Sequence, residues 1–251
     1  MHSKKISVLG VQIDQINRQE AQNKAEEFFD EGGQHMIVTP NPEMLVLAQK
    51  NVQFKSALNS ADVSICDGKG IEYLTGGKLK RLSGVDFMQD LCALAAKKQK
   101  RVFLLGTGNQ AVLDKAKKQL EKYYPNIQIV GSHPGISIQL NHTGIQLDDA
   151  KNKQILKEVA QSEPDILFVA FGHGKQELWM QQYVQELPSV NIVMGIGGSL
   201  EFISQTLPRA PKWMQNMGLE WLFRLIQEPK RIKRIWTAVV VFPITYIFQS
   251  K

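Results

Sequence analysis

Short apolar, β-branched runs separated by amphipathic helical stretches recur through the first 208 residues, and few architectures satisfy that alternation. A run such as ILFVAF at residues 166–171 has no polar face, so a strand built from it must be covered on both sides. A parallel sheet between two layers of helices provides that cover. Strands are expected over residues 6–9, 36–39, 63–66, 102–105, 127–130, 166–170 and 192–195. Helices are expected between most of them, for example over 18–29 and 110–123. The fold class is therefore α/β, with a Rossmann-like, mainly parallel sheet flanked by helices. Residues 132–147 hold turn residues without periodicity, and no internal repeat is present.

A composition of 43% hydrophobic and 22% charged residues over 251 positions suits a buried core and excludes a disordered chain. No apolar run approaches the ~20 residues of a spanning helix. The opening MHSKKISVLGVQID lacks the apolar segment of a secretory signal, so a cytoplasmic location is expected. Cys66 and Cys92 stand in apolar surroundings without a second ligand at metal spacing, which predicts buried thiols.

The net charge of +6 is confined to one end. Residues 209–251 carry eight basic residues against two acidic ones, and residues 1–208 are neutral. Two parts are therefore expected: an α/β domain over 1–208 and a helical appendage over 209–251.

In a parallel sheet, chemistry gathers where strands end at the carboxyl edge. Five loops there are unusual. TPNPEM (39–44) offers Asn41 and Glu43 between prolines, and a plain proline turn with an N-cap explains the same residues. CDGKG (66–70) puts the Asp67 carboxylate at a strand end, although Asp-Gly is also ordinary turn chemistry. GTGNQA (106–111) opens a helix with Gly106 and Gly108, whose amides suit a phosphate, but Ala111 replaces the third glycine of a dinucleotide fingerprint. FGHGKQE (171–177) and GIGGS (195–199) repeat the pattern of glycine after a strand, and a ligand carrying diphosphate is the common explanation.

Within RAPKWMQNMGLEWLFRLIQEPKRIKR (209–234) apolar residues recur at helical spacing, and Pro229 should kink or break the helix. Arg224, Arg231 and Arg234 are spaced to share a face, where guanidinium forks would clamp phosphate oxygens. A solvated basic face is the alternative. Residues 235–248 (IWTAVVVFPITYIF) reach about 21 Å as a helix, short of the ~30 Å hydrocarbon core, so they can lie on a membrane surface without crossing it. Docking on the body or on a second copy of the chain is the other reading of this tail. Nucleic acid is not expected, because the basic patch is confined to one end.

Together TPNPEM, CDGKG, Arg81 in RLSGVD, GHGKQE, GIGGS and the 209–234 block resemble the WecG/TagA/CpsF family of bacterial glycosyltransferases over nearly the whole chain. The resemblance implies transfer of a sugar, often N-acetylmannosamine or its uronate, from a UDP donor to a polyprenyl-diphosphate-linked N-acetylglucosamine at the inner face of the cell membrane. It implies a role in assembling wall teichoic acid or a related surface polysaccharide. Carried over by position, it makes Asp67 the catalytic base, with Thr39, Asn41 and Arg81 in the same pocket. Gln176 falls on the donor side, with the glycines Gly106, Gly108, Gly195, Gly197 and Gly198, and Arg224, Arg231 and Arg234 on the acceptor diphosphate. Gly174, Glu201 and Ser204-Gln205 depart from the residues common in the family, and these departures bear on the donor sugar.

Inverting transfer needs a base for the acceptor hydroxyl and neutralisation of the leaving UDP. The metal-binding triplet Asp-x-Asp is absent. No cofactor and no metal are therefore expected, the diphosphate being met by amides and arginines. A nicotinamide-dependent oxidoreductase would account for the α/β body but not for the appendage, and a membrane scaffold would account for the tail but not for the polar loops.

Overall fold

The computed structural model describes residues 3–142 and 144–249. The chain opens with an antiparallel hairpin of β1 (Lys5–Val8) and β2 (Val11–Asp14). The strand expected at 6–9 is thus present but stands outside the main sheet. The reason is local: Leu9 and Gly10 both have positive φ, 52° and 73°, the two-residue turn that joins neighbouring antiparallel strands. Asp14 then fastens the hairpin to the sheet, its carboxylate accepting the N–H of Ser64 at 2.7 Å.

After α1 (Arg18–Glu31) come β3 (His35–Val38), α2 (Pro42–Ala48), α3 (Val52–Asn59), β4 (Val63–Ser64), α4 (Lys69–Leu74), α5 (Gly84–Lys98), β5 (Arg101–Gly106), α6 (Gln110–Tyr123) and β6 (Gln128–His133). A small antiparallel hairpin, β7 (Gln139–Asn141) and β8 (Gly144–Gln146), occupies the stretch that lacks periodicity, since three-residue strands are too short to show one. The body ends with α7 (Asp149–Ser162), β9 (Ile166–Ala170), α8 (Lys175–Tyr183), β10 (Ile192–Gly195) and α9 (Ser199–Ile203).

Six strands form one sheet in the order β4-β3-β10-β9-β5-β6, and every pairing is parallel. Alternate residues along each strand divide between two cores. Met36, Val38, Leu167 and Val169 pack with α2, α3, α7 and α8, whereas Ile37, Ile166, Phe168 and Met194 pack with α1, α5 and α6. Both faces are covered as the apolar runs require. Cys66 and Cys92 are buried and free.

The C-terminal segment is a chain of short helices: α10 (Lys212–Met217), α11 (Glu220–Gln227), a 3₁₀ turn at Pro229–Arg231, α12 (Ile232–Trp236), a π-helical turn at Thr237–Val241 and α13 (Phe242–Gln249). Pro229 ends α11 as expected, with Glu228 leaving helical geometry at φ −128° and ψ 75°. Pro243 does not end the tail, because the wide π turn before it makes room for a ring that would strike the carbonyl one α-helical turn back. Among the described residues no helix is long and apolar enough to cross a membrane.

Phe242 is fully buried and belongs to the core on the α2 side of the sheet, so the tail is packed on the body. The rest of the segment is far more open. Ten of the thirteen exposed large apolar residues among the described ones lie at or beyond Trp213, which marks this end as a docking surface. Replacing Phe242 by alanine should cost about 3–5 kcal/mol of tail packing. Hydrogen exchange in residues 232–249 should then accelerate while the amides of β9 and β10 stay protected; unchanged exchange in the tail would show that Phe242 does not anchor it.

Candidate active site

The loops that leave β3, β4, β9 and β10 end on one side of the sheet, and the C-terminal segment closes over them. Between the two lies a cavity of about 810 Å³. Of the residues singled out from the sequence, Thr39, Asn41, Asp67, Arg81, Gln176, Gly197, Gly198, Arg224, Arg231 and Arg234 line it. Gly106, Gly108 and Gly195 do not, although Thr107 between the first two does. Gly106 and Gly195 stand where a Cβ would come within 2.6 Å of the Ala170 backbone and of the Gln176 amide. Their lack of a side chain is thus a packing requirement of the strand ends. The first turn of α6 is capped by its own Asn109, whose Oδ1 accepts the N–H of Ala111 at 3.0 Å.

Asp67 lines the cavity, half-buried. Its Oδ2 accepts the N–H of Gly84 at 3.1 Å, at the start of the fifteen-residue α5, so a helix N-terminus faces the carboxylate. The side chain of Thr39 is on the same spot: a Cβ on Gly84 would lie 3.1 Å from Thr39 Oγ1 and 3.4 Å from Asp67 Oδ2. Burial pushes the Asp67 pKa up, against the pull of Arg81 and of the Gly84 amide. Asn41 does two things at once. Its Oδ1 caps α2 by accepting the N–H of Met44 at 3.1 Å, which leaves the amide nitrogen as its group for a ligand.

Gln176 is a buried strut rather than a free side chain. Its Oε1 accepts the N–H of Gly197 at 3.0 Å and its Nε2 donates to Glu177 at 2.8 Å, while Glu177 also accepts the N–H of Gly174 at 2.7 Å. The loops after β9 and β10 are locked together in this way. Burial raises the Glu177 pKa to about 7. Glu201, also on the cavity wall, has a buried Oε2 without a hydrogen-bond partner, and burial raises its pKa as well.

The three arginines come from α11, the 3₁₀ turn and α12, so they do not share one helix face. Pro229 breaks the phase, and the bend it introduces aims all three into the same cavity. Each is matched by a carboxylate. Glu228 receives Arg224 at 3.0 Å and Arg231 at 2.7 Å, and Glu43 receives Arg234 at 2.7 Å. Arg234 also donates to Nδ1 of His173 at 2.9 Å, which is open as an acceptor because burial, aided by Arg234, lowers the His173 pKa to about 4. Arg224 lies 4.8 Å from the Phe202 ring centre, a cation–π contact.

The sequence reading does not single out His173, Glu228 or Glu220. Glu228 was legible, being four residues after Arg224 and three before Arg231. Glu220 was not, for its partner Arg81 lies 139 residues away. Among the described residues, no group of three or more His, Cys, Asp or Glu side chains is placed to hold a metal ion.

In a cavity lined by a half-buried carboxylate and three arginines, the carboxylate can take a proton from a hydroxyl and the arginines can stabilise a departing diphosphate. Comparison with known proteins gives the same chemistry a family. The profile of the glycosyl transferase WecG/TagA/CpsF family matches residues 6–251. The chain is 32% identical over 220 residues to the N-acetylglucosaminyldiphosphoundecaprenol N-acetyl-beta-D-mannosaminyltransferase of Bacillus subtilis (strain 168), covering 86% of this chain and 80% of that one. It is 29% identical over 238 residues to the protein of that name from Staphylococcus aureus (strain MW2), covering 92% and 88%. The match spans both the α/β body and the appendage, and the chain belongs to the WecG/TagA/CpsF family and is a glycosyltransferase.

Proposed function

We propose that the cavity transfers N-acetylmannosamine, with inversion, from a UDP donor to N-acetylglucosamine carried on a polyprenyl diphosphate, in cell-surface polysaccharide or teichoic acid synthesis. The observation that carries this reading is Asp67: a carboxylate of raised pKa, held by Gly84 in a cavity that Arg224, Arg231 and Arg234 also line. The names of the bacterial relatives, which print N-acetylmannosaminyl transfer onto N-acetylglucosaminyldiphosphoundecaprenol, support this choice of donor sugar and acceptor.

In the reaction, the acceptor hydroxyl attacks the anomeric carbon and its proton passes to Asp67. The bond from that carbon to the UDP oxygen breaks, and the electron pair leaves with the diphosphate. Thr39 and Asn41 line the side of the cavity nearest the base. The donor lies toward Gly197 and Gly198, on the loops that Gln176 locks, with Gly106, Gly108 and Gly195 shaping the turns behind them. The three arginines meet the diphosphate, which competes with Glu43 and Glu228 for their guanidinium groups. Neither a cofactor nor a metal takes part.

The lipid of such an acceptor lies in a membrane, and the C-terminal segment is suited to rest there. Trp236, Ile247 and Phe248 are exposed, and so are the cationic Lys230 and Lys233 of the same segment. The enzyme thus works as a peripheral protein on the inner face of the cell membrane.

Asp67→Asn should lower the transfer rate roughly 10²- to 10⁴-fold while sparing donor binding; a variant as active as the parent would reject Asp67 as base. Because the base must be ionised and its pKa is raised in the free enzyme, the acid limb of the kcat/KM–pH profile should lie above the ~3.9 of an ordinary aspartate, with activity lost as pH falls through it. A limb at or below that value would contradict the raised pKa. Truncating the tail would remove Phe242 from the core, so substitution tests the surface more cleanly. Changing Trp236, Ile247 and Phe248 together to serine should abolish co-sedimentation with anionic liposomes and leave the melting temperature nearly unchanged; undiminished co-sedimentation would exclude the tail as the membrane contact.

A further inference from the structure

The appendage does more than bring arginines to the cavity. From α11 it sends the Glu220 carboxylate into the body, where Oε2 accepts from a guanidinium nitrogen of Arg81 and Oε1 from Nε of Arg209 at 3.4 Å. Arg209 is otherwise occupied by a two-pronged pair with Asp86, at 2.6 and 2.9 Å. Arg81, by contrast, belongs to the stretch that passes directly beside the base. The N–H of Leu82 donates to the carbonyl of Cys66 at 2.9 Å, and Gly84 donates to Asp67 itself. One carboxylate from the appendage therefore reaches the cation nearest the reacting carboxylate.

We propose that Glu220 is a positioning residue for the transfer reaction: by pairing with Arg81 it offsets that charge beside Asp67, so that the base is completed only while α11 is docked. This rests on the reading of Asp67 as the base. An unmatched Arg81 would hold Asp67 ionised and reluctant to take a proton, and a weaker base abstracts the acceptor proton more slowly. The charged and titratable groups that bear on Asp67 come from several elements: Arg81 ahead of α5, Asp86 on α5, Glu220 on α11 and the neighbouring Cys66 thiol. Asp86 is matched by Arg209, and burial keeps the thiol neutral, its pKa pushed up to about 12. Arg81 and Glu220 are left as the pair whose balance sets the base. Glu220 raises the Asp67 pKa and Arg81 lowers it, in keeping with that assignment.

Glutamine at 220 keeps an oxygen for Arg81 and removes the charge, and aspartate keeps the charge. In the full chain with ¹³C-carboxyl-labelled aspartate, the Asp67 signal is assigned by its loss in Asp67→Asn. Its titration midpoint should move to lower pH in Glu220→Gln and stay near the parent value in Glu220→Asp. In the transfer assay Glu220→Gln should lower kcat on the order of tenfold, part of the roughly 10²- to 10⁴-fold that a general base supplies, with the donor KM unchanged. An unmoved midpoint in Glu220→Gln, or one that moves as far in Glu220→Asp, overturns the inference. If the parent chain makes no product, the transferase reading fails on its own, and the midpoint still decides whether Glu220 acts on Asp67.

Discussion

The constraint on which the rest depends is the covering of the six-stranded sheet on both faces. With alternate side chains of β3, β5, β9 and β10 committed to two separate cores, the strands offer no surface for chemistry. Only the edge where they end remains, and there the chain places Thr39, Asp67, Thr107 and the glycines after β10. The helix that follows supplies part of the machinery directly: Gly84 at the head of α5 gives its amide to Asp67. A fold chosen by apolar burial thus determines where the Asp67 carboxylate can stand.

That edge alone is half a site. The other half comes from the segment after residue 208, and it is held by charge as much as by apolar contact. Arg209 on Asp86 and Glu220 on Arg81 tie its first helices to the body, Arg234 on Glu43 ties a later one, and Phe242 anchors the end. These ion pairs are partly buried, so each partner left alone would carry a desolvation cost, and closure of the cavity is coupled to their formation. Arg224, Arg231 and Arg234 are each matched by a carboxylate, so the cavity is not a bare cationic sink.

Much of this was legible in the sequence. The apolar runs located the six parallel strands, most plainly β5, β9 and β10, which are buried on both sides, and the loops after them held most of the cavity lining. Where the reading departed from the structure, a short-range or a long-range effect intervened. The turn at Leu9 and Gly10 claimed the first strand for a hairpin, and Pro229 split the arginines among three elements while the bend still converged them. Gly106 and Gly195 looked like ligand glycines but owe their identity to Ala170 and Gln176 packed against them. No periodicity could announce Glu220 or His173, whose partners Arg81 and Arg234 are brought to them only by the folded chain.

The central claim is that this cavity joins a sugar to a lipid-linked acceptor without a metal. It is tested most directly by incubating the purified chain with a polyprenyl-diphosphate-N-acetylglucosamine analogue and a panel of UDP-sugars, with and without EDTA, and reading products by mass. The account predicts a disaccharide lipid from UDP-N-acetylmannosamine, formed equally in EDTA. No product from any donor, or a product that EDTA abolishes and a divalent cation restores, would contradict it.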